Sequence, residues 1–165
     1  MVKKLLLTLV ALAGFATLAS AQMRLPNVKI ENEKGELIQT SSLLDAKTPM
    51  IISFWSTTCK PCIRELNAIN DQFVDWQDQA DFRVIAVSID DSRSASKAKA
   101  MASGFGWSDF TVLYDKNQDL KRAMNVNLVP QVFVVDADGK VVYSHTGYNP
   151  GGEAVLLKEI IKLKK

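Results

Sequence analysis

Trp55-Ser56-Thr57-Thr58-Cys59-Lys60-Pro61-Cys62 holds both cysteines of the chain, two residues apart, and its Trp55 closes the apolar run Met50-Ile51-Ile52-Ser53-Phe54-Trp55. A short, nearly continuous apolar run reads as a central strand covered on both faces. Pro61 suits the first turn of a helix, where its missing N–H costs nothing. A strand that delivers a Cys-x-x-Cys pair to a helix start is a redox arrangement. Such a pair can cycle between dithiol and disulfide, so the segment points to an activity as well as a fold.

The two sulfurs are not equivalent. A thiolate attacks and a thiol does not. Cys59 lies at the helix start, where free N–H groups and the helix dipole favour a negative charge, and Lys60 adds a positive charge beside it. Cys59 is therefore the expected accessible nucleophile. Cys62 belongs to a stripe at helical spacing, Cys62, Leu66, Ile69, Phe73 and Trp76, and is the expected buried, resolving thiol. To resolve a mixed disulfide Cys62 must lose a proton in apolar surroundings. Glu65, three residues on, falls at the edge of that stripe and is placed to take it. The competing reading of Glu65 is an exposed first-turn acid favoured by the helix dipole. A structural role for the disulfide is weak, because so small a loop constrains the unfolded chain little.

Working outward, Asn27–Glu31 and Glu36–Thr40 read as strands about a Lys34-Gly35 turn, and Ser41–Leu44 as one helical turn. The redox helix is expected over Pro61 to about Gln79, followed by a second buried strand, Phe82–Ile89. Asp91 or Ser92 caps an Ala/Lys-rich helix that ends at Gly104. Then come a strand at Thr111–Tyr114, a short helix at Gln118–Met124, and a hairpin of Gln131–Asp136 and Lys140–His145 about Asp138-Gly139. Glu153–Leu163 reads as the last helix. This alternation implies an α/β sandwich with a mixed sheet. Asp136-Ala137-Asp138-Gly139 is too short for a calcium loop and lacks its later acidic ligand.

Lys3 and Lys4, the apolar stretch Leu5–Leu18 and the small residues Ala19-Ser20-Ala21 read as a secretory signal cleaved after Ala21. An uncleaved anchor is the alternative. Cleavage would leave residues 22–165 as a single domain and lower the formal charge from +2 to neutral. A neutral chain offers no electrostatic case for nucleic acid. His145, the only histidine, reads as a surface residue at a strand end. Trp55 is expected to pack beneath the cysteine pair, and Trp107 and Phe105 to be core or loop packing. Pro130 stands at the entrance of an apolar run, and pattern alone makes its peptide bond trans.

Several features together resemble the thioredoxin fold, and specifically the exported TlpA/ResA-like thiol–disulfide oxidoreductases. They are Phe54-Trp55, Cys59-Lys60-Pro61-Cys62, Glu65, Asp109-Phe110-Thr111-Val112-Leu113-Tyr114-Asp115, Val129-Pro130 and Asp138-Gly139-Lys140. The resemblance spans about Leu25 to Leu163. It implies a three-layer sandwich with an N-terminal β-hairpin and a central insertion at about Asp90–Thr111. It also implies a cis Pro130 beside the cysteines, a substrate contact at Val129, and a functional Glu65. Trp55, Lys60 and Pro61 complete the expected substrate-binding set. No cofactor is expected beyond the Cys59–Cys62 couple, and no metal. The expected partners are a disulfide-bearing protein and a membrane thiol donor, with the protein monomeric and periplasmic. Three departures stand out: Ser53 replaces a buried Asp of cytoplasmic thioredoxins, Thr58 replaces a frequent Trp, and Lys60-Pro61 replaces Gly-Pro.

Two rival readings use the same fold. A copper carrier would take Cys59, Cys62 and His145 as ligands, although these three leave a site only partly filled. Its relatives, the Sco-type proteins, usually space their cysteines one residue further apart. A thiol peroxidase lacks the expected Pro/Thr surroundings of a peroxidatic cysteine.

Overall fold

The computed structural model describes residues 22–164. The expected signal peptide, residues 1–21, lies outside the described residues. Seven strands form one sheet in the order β2-β1-β5-β4-β3-β6-β7. They are β1 (Lys29–Glu31), β2 (Leu37–Gln39), β3 (Met50–Trp55), β4 (Arg83–Ser88), β5 (Thr111–Tyr114), β6 (Gln131–Val135) and β7 (Val141–Thr146). The β3, β4 and β5 strands run parallel, whereas β1, β2, β6 and β7 pair antiparallel with their neighbours. The helices are α1 (Lys60–Gln77), α2 (Ala95–Gly104), α3 (Asp119–Ala123) and α4 (Ala154–Lys162). A 3-10 turn, Thr40–Leu43, follows β2.

The apolar run Met50–Trp55 takes the centre of the sheet because it can be covered on both sides. Every one of its residues is buried. Alternation sends Ile51 and Trp55 into one core, with Cys62, Leu66 and Ile69 of α1, Ala98 and Ala102 of α2, and Leu156 and Ile160 of α4. Met50, Ile52 and Phe54 enter the other core, with Ile30 of β1 and Leu120 of α3. The result is the expected three-layer α/β sandwich: α1, α2 and α4 on one face, α3 on the other.

The strand limits of β3 and β5 agree with the sequence reading, and the other elements shift by a few residues at their ends. The α2 helix starts later than expected, at Ala95. Asp91 spends its side chain on a preceding turn, where Oδ1 accepts from the N–H groups of Arg93 (3.1 Å) and Ser94 (3.2 Å). The N-terminal hairpin is tied down by Glu31, which meets Lys116 at 2.6 Å and Lys99 of α2 at 3.3 Å. The hydrogen bond from Lys116, more than any other contact, holds the Glu31 carboxyl below its ordinary range. At the far hairpin, Asp136 Oδ1 accepts from the N–H groups of Asp138 (3.0 Å) and Lys140 (2.8 Å). Gly139 closes the turn at φ +85°, and a Cβ there would sit 3.0 Å from Leu44 Cδ1.

Candidate functional site

Cys59 and Cys62 are joined as a disulfide at the N-terminus of α1, with their Cα atoms 5.3 Å apart. Cys59 is the N-cap residue, and Lys60 and Pro61 form the first helical positions. The helix thus starts one residue earlier than the sequence suggested. Cys59 Sγ accepts a hydrogen bond from the Cys62 backbone N–H at 3.3 Å. That is one of the otherwise unpaired N–H groups of the first turn, aimed at the sulfur that would carry charge once reduced. Cys59 is half-buried and Cys62 fully buried, which reproduces the asymmetry expected from helical spacing. Lys60 is exposed and Pro61 half-buried beside them.

The loop before Cys59 is held from the next strand. Asp90, just past β4, accepts from the Thr57 N–H at 2.9 Å and the Thr57 hydroxyl at 2.8 Å. The Ser88 hydroxyl also donates to Asp90, at 2.8 Å. Three donors converging on one carboxylate fix the segment that delivers Cys59. Asp90→Ala would leave the buried Thr57 N–H without an acceptor, so a loss of about 1–3 kcal/mol is expected in denaturant unfolding. A change within measurement error would show that the loop holds itself.

At the end of β3, Phe54 pairs with Gln131, the first residue of β6. The preceding Val129–Pro130 peptide therefore lies at the sheet end from which the cysteine loop emerges, and it is cis. The resemblance implied this geometry; the local pattern alone did not. Val129 is half-buried and packs against the same core as Cys59, and Pro130 is buried. Beside them Leu128 is 70% exposed.

Trp55 departs from the expected substrate-binding set. It is fully buried, and its ring meets Trp107 edge-on at 5.0 Å. It cannot reach a bound substrate, and its place is under the motif as packing. It shares with Ile51 the face of β3 that packs against α1, in keeping with the expectation that it packs beneath the cysteine pair. Trp107, from the central insertion, is buried in turn and donates from its indole N–H to Asn67 Oδ1 of α1 at 2.8 Å. The insertion thus braces the redox helix and its supporting strand together. Phe105 stacks on Trp107 at 5.5 Å and remains partly exposed.

Glu65 is not the exposed first-turn acid of the competing reading. It is completely buried, and its Oε1 lies 2.7 Å from His145 Nε2. His145 is not a free surface residue, since its side chain is only 20% exposed. Among the described residues no cluster of three or more His, Cys, Asp or Glu side chains stands at metal-binding distance. Of the His145 ring nitrogens, Nε2 is engaged by Glu65 Oε1. Sequence reasoning missed both His145 and Asp90, because their partners lie 80 and 33 residues away in the chain.

This geometry has counterparts among known proteins. The thiol-disulfide oxidoreductase ResA of Bacillus subtilis (strain 168) is 28% identical over 122 residues, 74% of this chain and 65% of ResA. The chain spans just under two thirds of the length of that relative. The solution structure of a thioredoxin-like protein from Porphyromonas gingivalis is 54% identical, with a TM-score of 0.75 over 84% of this chain and 90% of that one. The thioredoxin domain of a thiol-disulfide oxidoreductase from Bacteroides vulgatus shares the fold at 18% identity, with a TM-score of 0.64 over 86% of this chain and 95% of that one. A family model matches residues 21–144, from the residue before the first described one through β1 to β6 and into β7. With the cysteine pair, its strand and the cis proline all inside that match, the chain belongs to the AhpC/TSA family, in its thioredoxin-like form.

Proposed function

We propose that this chain is an exported thiol–disulfide oxidoreductase that reduces protein disulfides by exchange at Cys59 and Cys62. The observation that carries this reading is the asymmetric pair at the start of α1: a half-buried Cys59 Sγ facing a helix N–H, and a fully buried Cys62 behind it. The names of the curated relatives agree with it.

Cys59, as thiolate, attacks a substrate disulfide and forms a mixed disulfide. Cys62 then attacks Cys59 Sγ, closes the Cys59–Cys62 bond and releases the second substrate sulfur. Glu65 takes the Cys62 proton. Val129 and Pro130 shape the groove along which the substrate backbone lies, exposed Leu128 extends it with apolar surface, and Lys60 and Pro61 form its other rim. The apolar rim suits an extended peptide segment better than a small charged disulfide.

Residues 1–21 serve as the signal, cleaved after Ala21, and residues 22–165 work as one monomeric domain in a bacterial periplasm. An exported reductant must itself be reduced, and the resemblance implies a membrane thiol donor as its second partner. No nucleic acid and no metal enter the cycle. The direction of electron flow is tested by the equilibrium potential of the Cys59/Cys62 couple against glutathione. A reductant is expected near the −270 mV of thioredoxin; a value near −120 mV, that of a strong oxidant, would reverse the assignment.

A further inference from the structure

One polar contact beside the redox helix joins two residues that no motif connects. Glu65 on α1 is fully buried, its Oε1 is 2.7 Å from His145 Nε2, and its Oε2 has no partner. His145 stands on β7 opposite Val132, which in turn stands opposite Ser53 of β3. Directly paired residues share one face of a sheet. This face is the one under α1, because Val132 packs in the same core as Cys62, Leu66 and Trp55. A buried carboxylate is costly unless hydrogen-bonded. Here the one contact it has comes from a side chain that reaches toward solvent, while the other oxygen is left free.

We propose that His145 is the positioning residue of the resolving step. Its Nε2–H donates to Glu65 Oε1, holds the carboxylate in place and leaves Oε2 as the proton acceptor for Cys62. The inference rests on the assignment of Cys62 as the resolving thiol. In that step the Cys62 proton passes to Glu65 Oε2, and the Cys62 sulfur forms the bond to Cys59 Sγ. The bond between Cys59 and the substrate sulfur breaks, and the substrate leaves as a thiolate. Two electrons pass from the dithiol to the substrate disulfide, and no further reagent is needed. His145 also gives the buried carboxylate its polar connection outward, along which the proton is returned to water after each turnover. Tyr143 of β7 lies beside the pair, its ring 5.8 Å from that of His145, and Tyr148 donates to Glu153 at 2.8 Å.

The test separates attack from resolution. Reduced protein is mixed in a stopped-flow instrument with 5,5′-dithiobis(2-nitrobenzoate), which releases one coloured thiolate when Cys59 attacks and a second when Cys62 resolves. His145→Phe is expected to slow the second release by at least about tenfold and leave the first unchanged, less than the roughly hundredfold or more of losing a general base outright, because Glu65 itself remains. His145→Gln, which keeps an N–H donor, is expected to recover most of that loss. In a Glu65→Gln background, His145→Phe should change the second release by less than about twofold, because the two residues act through one another. A second release within about twofold of wild type in His145→Phe would overturn the proposal. So would equal slowing of both releases, or an undiminished effect in the Glu65→Gln background. If His145→Phe fails to fold, as judged by circular dichroism, His145→Leu, which likewise lacks a donor, replaces it in the same cycle with Glu65→Gln: a non-additive effect supports the proposal, and an additive one rejects it. Absence of the second release in wild-type protein would instead reject the resolving role of Cys62.

Discussion

Cys59→Ala is expected to lower disulfide reduction by at least about a thousandfold, to the background of uncatalysed exchange, as removal of a covalent nucleophile generally does. Cys62 cannot substitute, because it is completely buried on the core-facing side of the first turn of α1. Cys62→Ala has a different signature. Attack by Cys59 remains, but the mixed disulfide has no internal thiol to resolve it, so the adduct accumulates and only external thiols release it. A protein disulfide assay followed by non-reducing electrophoresis distinguishes the two variants. Normal turnover by Cys59→Ala, or equal adduct formation by both variants, contradicts the assigned order of attack.

Trp55→Ala is expected to be the most destabilising single change near the site, by about 3–5 kcal/mol. The ring is fully buried and forms an edge-on pair with Trp107 at 5.0 Å. Its loss opens a cavity directly beneath the cysteine loop and removes an aromatic pair worth about 0.5–1.5 kcal/mol beyond area burial. Trp55→Phe should cost much less, since the indole N–H it removes is buried without a partner. Urea unfolding measures both. A loss below about 1 kcal/mol for Trp55→Ala, with weakened substrate binding instead, would restore Trp55 to the substrate surface.

The fold was legible where local pattern and tertiary placement agree. The six-residue run Met50–Trp55 is apolar throughout because it is covered on both faces, and its limits are those read from the sequence. The stripe of α1 announced which cysteine is buried, since Cys62, Leu66, Ile69 and Trp76 all enter the core. Helix starts were less legible. Asp91 looks like a cap but closes a turn ahead of α2, and Cys59 itself, an unusual N-cap residue, begins α1. Side-chain contacts between distant segments left no local signal at all. Asp90 reads as an ordinary loop acid until Thr57 is brought to it, and His145 as a lone strand-end histidine until Glu65 turns inward to meet it. The cis peptide before Pro130 followed from resemblance, because nothing in the adjacent residues distinguishes it from a trans one.

These same distant contacts distinguish a working site from a bare motif. Asp90 holds the loop, Trp107 carries the central insertion onto β3 and α1, and buried Glu65 of α1 is met by His145 of β7. Three residues distant in sequence, Asp90, Trp107 and His145, therefore brace the loop and helix that carry the cysteine pair.

The most direct test of the exchange chemistry is a thiol count. Reduced protein is incubated without oxygen with one equivalent of a protein disulfide, quenched with an alkylating agent and mapped by mass. Two substrate thiols are expected for every pair of Cys59 and Cys62 thiols lost, with Cys59 and Cys62 recovered linked to each other. Substrate thiols appearing while Cys59 and Cys62 both remain open to alkylation would contradict it, as would no transfer at all.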